Sequence, residues 1–361
     1  MTPRPRRFRQ TLKTLHLWLG LSLGVLLALV TLSGSVLLWE QPLFAAGHPE
    51  LTHRPLPDLA TQGRSLATIL ASKEAKGLRG LSVPDAALPV WEAQVRGGDR
   101  LYFDATSGEP LLARHKSGDG LLLLLDWHTH LLTGEVGETI LGVVAITGLF
   151  MLFSGAWLYW PGRQRALKHL KPHANPLVLR WASFHRAVGV IALPLLVVMI
   201  GTGTTMAYRG AVRQGLTAAF GEKAPAKPPK TAPLDGAVDW AAVLAAARAA
   251  APDAELTRIM LPGKDSGIVT LRVRHAGEWN LAGRSMVFID GRDAKVLGSV
   301  DATKLGTGGR LSDALFPIHS AAVGGIAWRV LATTTGLVPT FLLVTGFLFW
   351  RARKRRPAAR G

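Results

Sequence analysis

The chain has 361 residues and pairs 42 Lys and Arg with 24 Asp and Glu, a formal net charge of +18. At 48% hydrophobic and 18% charged, it is too apolar to be disordered. It has no cysteine, which excludes disulfides, iron–sulfur clusters, thiolate zinc sites and thioether-attached haem.

Residues 1–16 carry Arg4, Arg6, Arg7, Arg9 and Lys13 without an acid, and they lead into an apolar run over 15–39. A bilayer core about 30 Å thick needs roughly 20 apolar helical residues, so this run is long enough to span it. A cleaved signal peptide also begins with basic residues, but its apolar region covers only about 7–15 residues. Beyond this run, 65–75 reads as a helix, 88–95 and 101–103 as extended stretches, and Thr106-Ser107-Gly108 as a turn. A second apolar run covers 139–160. The acid-free segment 161–186 follows, with Arg163, Arg165, Lys168, Lys171, Arg180 and Arg186. The third run, 188–208, contains Pro194, where a kink is expected.

The Pro- and Lys-rich stretch 223–233 reads as a linker. After it come a helix over 238–250 and strands near 256–261, 267–273, 285–290 and 294–300, with a turn at Asp290-Gly291. The fourth run, 330–350, has Pro339 inside it and ends in Arg351, Arg353, Lys354, Arg355, Arg356 and Arg360.

The three basic pieces hold 17 positive charges, and the rest of the chain balances 25 against 24. The charge is therefore a topology signal. Positive-inside placement puts both termini and the 161–186 loop in the cytoplasm, and 40–138 and 209–329 on the other side. Lipid is the expected partner and nucleic acid is not. Trp39, Trp157, Tyr159, Trp160, Tyr208 and Trp350 lie near run ends, as interfacial aromatics do.

The chain reads as a tandem repeat. His16 precedes Gly34 by 18 residues and His185 precedes Gly203 by 18; His128 precedes Gly155 by 27 and His319 precedes Gly346 by 27. Such halves are related by a pseudo-twofold axis along the membrane normal. The expected order is a membrane helix over 1–40, an external α+β module over 41–126 and a second helix over 127–162. A cytoplasmic loop over 163–182, a third helix over 183–209, a linker and second module over 210–316, and a fourth helix with basic tail over 317–361 complete it. The fold class is thus membrane α-helical, four transmembrane helices in a tandem repeat, with two small α+β modules.

The axis pairs His16 with His185 and His128 with His319. Two imidazoles facing across a bundle suit the iron of a six-coordinate b-type haem, two haems in all, held without covalent attachment. Gly20, Gly34, Gly189 and Gly203 would admit a flat macrocycle or another helix. The alternative is four structural histidines at membrane interfaces. His130 points away from His128 and reads as a secondary contact to the cofactor site or a substrate contact. His169 and His173 lie in the basic loop, and His48, His53, His115 and His275 are isolated. If the helices continue outward unbroken, His128 and His319 stand roughly 16 Å above the hydrocarbon. His128 then lies about 48 Å from Trp160, which would separate the two pairs widely unless kinks or a relay through Trp18 and Trp157 shortened the path.

The segments LHLWLGL (15–21), WHTHLLTGEVGETILG (127–142), SGAWLYWPGR (154–163), FHRAVGV (184–190), PIHSAAVGG (317–325) and TGLVPTFLLVTGFLFWRARKRR (335–356) resemble the PepSY-associated transmembrane family. Within it, they are similar to the FoxB-like ferric-siderophore reductases. The resemblance covers all four helices, and the external modules are similar to PepSY domains. Two positions depart from the pattern: His130 stands where an acid is more usual, and Ala321 where glycine is.

The resemblance implies a bacterial inner-membrane di-haem b oxidoreductase. His16, His185, His128 and His319 would be its axial ligands, and a ferric siderophore in the periplasm its acceptor. The chain ends at Gly361 without a flavin or nicotinamide domain, so the electron donor, a quinol or cytoplasmic reductant, is expected to be separate. Arg96, Arg100, Arg272 or Arg274 would be available to an anionic chelate. A PepSY-type sensor or protein-binding partner without redox activity is the alternative, and a transporter, lacking midplane acids, stands third.

Overall fold

A computed structural model of the chain describes residues 4–160, 170–222, 228–229 and 231–355. Arg163, Arg165, Lys168 and His169, the tail residues Arg356 and Arg360, and linker residues 223–227 and 230 lie outside the described residues. The chain divides into a helical unit (Met1–Trp39, Leu124–Arg209 and Ile318–Gly361) and a sheet unit (Glu40–Leu123 and Gly210–Pro317).

The first half runs α1 (Arg4–Leu21), α2 (Leu23–Leu37), α3 (Glu40–Gly47), α4 (Pro49–Thr52), α5 (Leu59–Ala71), β1 (Leu78–Ser82), β2 (Val90–Val95), β3 (Arg100–Asp104), β4 (Pro110–Arg114), α6 (Gly120–His130) and α7 (Glu135–Tyr159). The second runs α8 (Leu177–Ile191), α9 (Leu193–Ala207), α10 (Arg209–Ala219), α11 (Trp240–Ala250), β5 (Glu255–Met260), β6 (Ile268–Arg274), β7 (Ser285–Asp290), β8 (Val296–Val300), α12 (Thr307–His319) and α13 (Gly325–Lys354).

In the helical unit, α7 and α13 are each long and apolar enough to cross a membrane. The pairs α1/α2 and α8/α9 qualify only as broken spans, bent by 52° and 66°. The described residues thus offer two spans, or four if each bent pair counts as one. The second bend falls at Pro194 in the first turn of α9, where the sequence places it. The first has no proline. Ser22 leaves the helical region there, and its hydroxyl donates to the Trp18 carbonyl at 2.7 Å. Pro339, by contrast, lies inside an unbroken α13.

The long helices pack in a repeated way. α7 lies against α1 of its own half and α9 of the other, and α13 against α8 of its own half and α2 of the other. Large apolar side chains such as Phe153, Ile191, Leu337 and Phe341 remain on the outside of this unit, as lipid-facing residues do. Trp18, Trp157 and Trp160 are also exposed, which suits interfacial packing better than a relay between the histidine pairs.

The helices carrying His128 and His319 do not continue into α7 and α13. After α6 the chain turns through positive φ at Leu131, Leu132 and Gly134, and after α12 at Ala321 and Gly324. Gly137 completes the first reversal, since a Cβ there would collide with the His130 carbonyl. Both histidines therefore end short separate helices.

The sheet unit holds one eight-stranded antiparallel sheet, ordered β4-β3-β2-β1-β5-β6-β7-β8. Each half contributes four strands, and β1 joins them by pairing Gly80, Leu81 and Ser82 with Met260, Ile259 and Arg258. The two α+β halves expected as separate modules share this sheet and one core. Leu66 and Ile69 of α5, Val243, Leu244 and Ala247 of α11, and Leu81, Trp91, Phe103, Ile259, Val269 and Ile289 of the strands all belong to it. Asp58 and Asp239 cap the two helices, accepting from the amides of Thr61 and Ala242.

Candidate functional site

Four of the histidines meet in two pairs, both inside the helical unit. His16 on α1 and His185 on α8 have ring centres 6.4 Å apart with planes at 83°. His128 at the end of α6 and His319 at the end of α12 have ring centres 6.3 Å apart with planes at 31°. These are the pairs that the repeat relates.

One local device holds all four rings. Each histidine packs against a hydroxyl–glycine step on a helix of its own half: Ser154-Gly155 for His16, Ser33-Gly34 for His128, Thr345-Gly346 for His185 and Thr202-Gly203 for His319. A Cβ on these glycines would lie 3.3, 2.8, 3.4 and 3.0 Å from the histidine Cε1 atoms, so side chains there would crowd the rings. The four hydroxyl residues are buried. The crossing is the informative part. The glycine 18 residues after His16 serves His128, and the glycine 27 after His128 serves His16. Each half thus anchors its own histidines, while each pair forms across the two halves.

The Nδ1 atoms show which nitrogen is engaged. His128 Nδ1 lies 3.0 Å from both Val30 O and Ser33 Oγ. His185 Nδ1 lies 3.0 Å from Leu342 O and 3.3 Å from Thr345 Oγ1. His319 Nδ1 meets Thr202 Oγ1 at 3.1 Å, and His16 Nδ1 meets Ser154 Oγ at 2.8 Å. Carbonyls only accept, so Nδ1 carries the proton at His128 and His185. Ser154 donates to Met151 O at 3.2 Å and so accepts from His16. Neutral imidazoles held through Nδ1–H keep an Nε2 lone pair for a metal, the usual arrangement behind a metal-bound histidine.

The separation fits one metal ion per pair. Two metal–nitrogen bonds of about 2 Å, plus about 1.1 Å from each nitrogen to its ring centre, give roughly 6 Å. Among the described residues no group of three or more His, Cys, Asp or Glu stands ready for a metal. Two imidazoles alone leave most of a coordination shell to be filled. A flat macrocycle that brings four donors of its own fills it; the residues fit haem.

The turns after α6 and α12 also correct the expected separation. His128 folds back to Gly34, so the two pairs stand no farther apart than the 18 residues from His16 to Gly34. That is about 27 Å along a straight helix, shortened by the bend, in place of the 48 Å of an unbroken one.

The other sequence candidates lie elsewhere. His130 is 2.7 Å from Thr129 Oγ1 and 3.5 Å from Asp126, and belongs to neither pair. Gly20 and Gly189 face Met151 and Leu342 rather than a histidine. Arg100 is held by Glu40 and Glu92 at 3.1 and 3.2 Å, Arg274 by Glu255 at 3.5 Å, and Arg96 is exposed. Arg272 lies on β6 across from Arg258. His48 and His115 pair with Glu50 and Asp99 at the surface. The hydroxyls at 33, 154, 202 and 345 carry no sequence signal of their own beyond the glycine that each precedes, which the repeat spacing singles out.

No protein of curated function matches this chain. A family model described as the PepSY-associated TM region matches residues 13–353, nearly the whole chain, with all four histidines and their anchors inside it. The chain belongs to the PepSY-associated transmembrane family.

Proposed function

We propose that this protein is a di-haem b electron carrier of the bacterial inner membrane that reduces siderophore-bound ferric iron in the periplasm. One observation carries the reading: two imidazole pairs, each formed across the repeat at 6.3–6.4 Å between ring centres. In this reading all four candidate spans cross the membrane, both termini are cytoplasmic, and the two halves of the sheet are PepSY-like modules on the periplasmic side. His16 and His185 hold one haem near the cytoplasmic face, and His128 and His319 hold the other nearer the periplasm. A bound haem supplies reversible one-electron chemistry at its iron.

The chain's own residues do the remaining work. Ser33, Ser154, Thr202 and Thr345 keep each imidazole turned with Nε2 free. The glycine beside each hydroxyl leaves room for the ring, and the surrounding apolar helices exclude water. A quinol or cytoplasmic reductant gives up the electron and the periplasmic ferric iron takes it. An electron moving outward across an inside-negative membrane gains about 2.3 kcal/mol per 100 mV. Ferrous iron is softer than ferric and is held less tightly by hard oxygen donors, so reduction releases it from such a chelate.

A visible spectrum of the purified protein tests this. Two b-type haems per chain should give a Soret and α-band that shift on dithionite, and a ferric hydroxamate or catecholate should reoxidise them. His319→Ala should remove about half the haem. A colourless protein that stays spectrally silent after loading with haem overturns the reading.

A further inference from the structure

The two halves of the sheet match closely in their connections, with one exception. The β1–β2 and β5–β6 loops both have seven residues, 83–89 and 261–267, and the β3–β4 and β7–β8 loops both have five, 105–109 and 291–295. The β2–β3 hairpin turns in four residues, 96–99, whereas its repeat counterpart between β6 and β7 takes ten, 275–284. Hairpin loops usually hold about two to five residues, and much longer ones tend to carry function. This loop has a fixed shape. The Glu278 carboxylate accepts from the His275 amide at 2.9 Å, from the Ser285 hydroxyl at 2.8 Å and from the Arg284 and Ser285 amides, which closes the loop at its base.

The loop and the first turns of α12 line an open cavity of about 400 Å³ within the sheet unit. Trp279 in the loop and Leu311 on α12 give it apolar walls, and they are 53% and 46% exposed. Asn280, which also lines it, is only 7% exposed. Its Oδ1 accepts from the Ala282 amide at 3.0 Å, while its Nδ2 has no partner among the described residues. A buried amide donor left without an acceptor is uncommon. The acids in the lining are already engaged: Glu278 by the loop, and Asp313 by Arg213 at 2.9 Å with Arg284 Nε 3.9 Å away. Arg310, exposed on α12, has no acid partner among the described residues. A ligand would meet an aromatic wall, an unpaired guanidinium and an unpaired amide donor.

We propose that this cavity is a binding site for a small aromatic monocarboxylate. One carboxylate oxygen accepts from Arg310 and the other from Asn280 Nδ2, and the ring lies against Trp279 and Leu311. A single unpaired guanidinium calls for one negative charge, and the volume suits a ligand of one or two rings. The site lies wholly in the sheet unit and is independent of the haem reading.

Equilibrium dialysis of the full-length protein in detergent, corrected against detergent alone, tests this with 2-naphthoate, its neutral amide 2-naphthamide, and acetate. The wild type should bind one 2-naphthoate per chain and melt at a higher temperature with it. The amide, without the charge, and acetate, without the ring, should each bind at least about tenfold more weakly. Arg310→Gln, Trp279→Ala and Asn280→Asp should each weaken 2-naphthoate binding by about tenfold. Asn280→Asp keeps the oxygen that the Ala282 amide needs but places a carboxylate where the ligand needs a donor. Arg96→Gln, in the short hairpin of the other half, should bind as the wild type does.

A wild type that binds no more 2-naphthoate than the detergent control overturns the proposal. So does equal binding of acid and amide, which would mark the cavity as an apolar crevice. Full affinity in Arg310→Gln, or an equal loss in Arg96→Gln, overturns it too, because the charge would then act from no particular place. If Asn280→Asp does not fold, Arg310→Gln, at an exposed position, decides. Haem content, read from the Soret band of the same samples, reports on the haem reading separately.

Discussion

The helical and sheet units bury their polar groups by opposite means. Among the described residues of the helical unit the buried polar side chains are neutral: Ser33, Ser35, Ser154, Ser183, Thr202, Thr335 and Thr345, each donating to a backbone carbonyl on its own helix. In the sheet unit the buried polar groups include charges with partners. Arg114, 4% exposed, grips both oxygens of Asp119 at 2.7 and 2.9 Å and also reaches Tyr102. Arg100 sits between Glu40 and Glu92, and Asp290 holds Arg292. The difference follows from what lies outside each unit. A charge pair moved away from water pays a desolvation cost that its attraction repays only with good geometry. A serine or threonine that bonds back to its own helix brings no charge and fills its own donor. Buried polar side chains that are all neutral suit imidazoles that must themselves be neutral to bind a metal.

The largest test of this contrast strikes the imidazole cradle. Gly203 and Gly201 lie two residues apart on α9, and only Gly203 faces a ring: an added Cβ would be 3.0 Å from His319 Cε1, whereas nothing lies within 4 Å at Gly201. With two haems bound as proposed, Gly203→Val should lose about one of them, counted against protein by haem extraction. Gly201→Val should keep both. Equal retention in the two variants would remove the cradle from the account.

The second test removes a charge from the sheet unit. Arg114→Met leaves Asp119 without its partner and removes the cation over the Phe44 ring, 4.6 Å away. Breaking a buried pair from one side costs roughly 3–5 kcal/mol, read as a lower melting temperature of the whole protein. The pair also has a pH signature. The hydrogen bonds from Arg114 pull the Asp119 carboxyl down from 3.8 to about 2. A carboxyl lowered on folding stabilises the fold above its unfolded value, and that stabilisation is lost as pH falls through the folded one. The melting temperature should therefore drop between about pH 4 and pH 2, by less in Arg114→Met. An equal acid sensitivity in both proteins would show that Asp119 is not the titrating group.

A smaller effect is expected at the cap of α11, where Asp239 accepts from the Ala242 amide at 3.0 Å. Asp239→Ala should cost about 1 kcal/mol, the usual value of an N-cap, and Asp239→Ser should restore most of it.

How far the sequence revealed this arrangement depends on the range of the interaction. The apolar runs, the Pro194 break and most strands are local signals, and 15–39, 139–160, 188–208 and 330–350 fall within the observed helices or their bent pairs, apart from end residues. The histidine pairing is long-range, yet repeat spacing exposed it because two halves must obey one axis. Three features stayed hidden. β1 was missed because Gly80 interrupts its pattern; glycine is needed there because a Cβ would lie 2.6 Å from Ile259 O on the neighbouring strand. β4 begins with Pro110 at the sheet edge, where proline is tolerated but weakens the strand pattern. The crossed partnership of His16 with Gly155 and His128 with Gly34 depends on the turn after α6. That turn puts leucines at positive φ, a conformation their residue type does not announce.

The smallest expected effect lies back in the helical unit. Ser35 Oγ lies 3.1 Å from Thr31 O on its own helix and 3.0 Å from Thr333 O on α13, its single proton shared between the two carbonyls, while Gly336 leaves space for it. Ser35→Ala removes a hydroxyl that links two helices of different halves, so a large loss would be natural if hydrogen bonds in this unit acted as charge pairs do. The carbonyls of Thr31 and Thr333 lie in helix interiors and keep their intrahelical bonds, and each loses only its second acceptor role. No donor is stranded and no charge is exposed. The cost should stay within about 1 kcal/mol, near the net value of one neutral hydrogen bond. A melting shift as large as that of Arg114→Met would mean that polar groups in the two units are held by the same energetics.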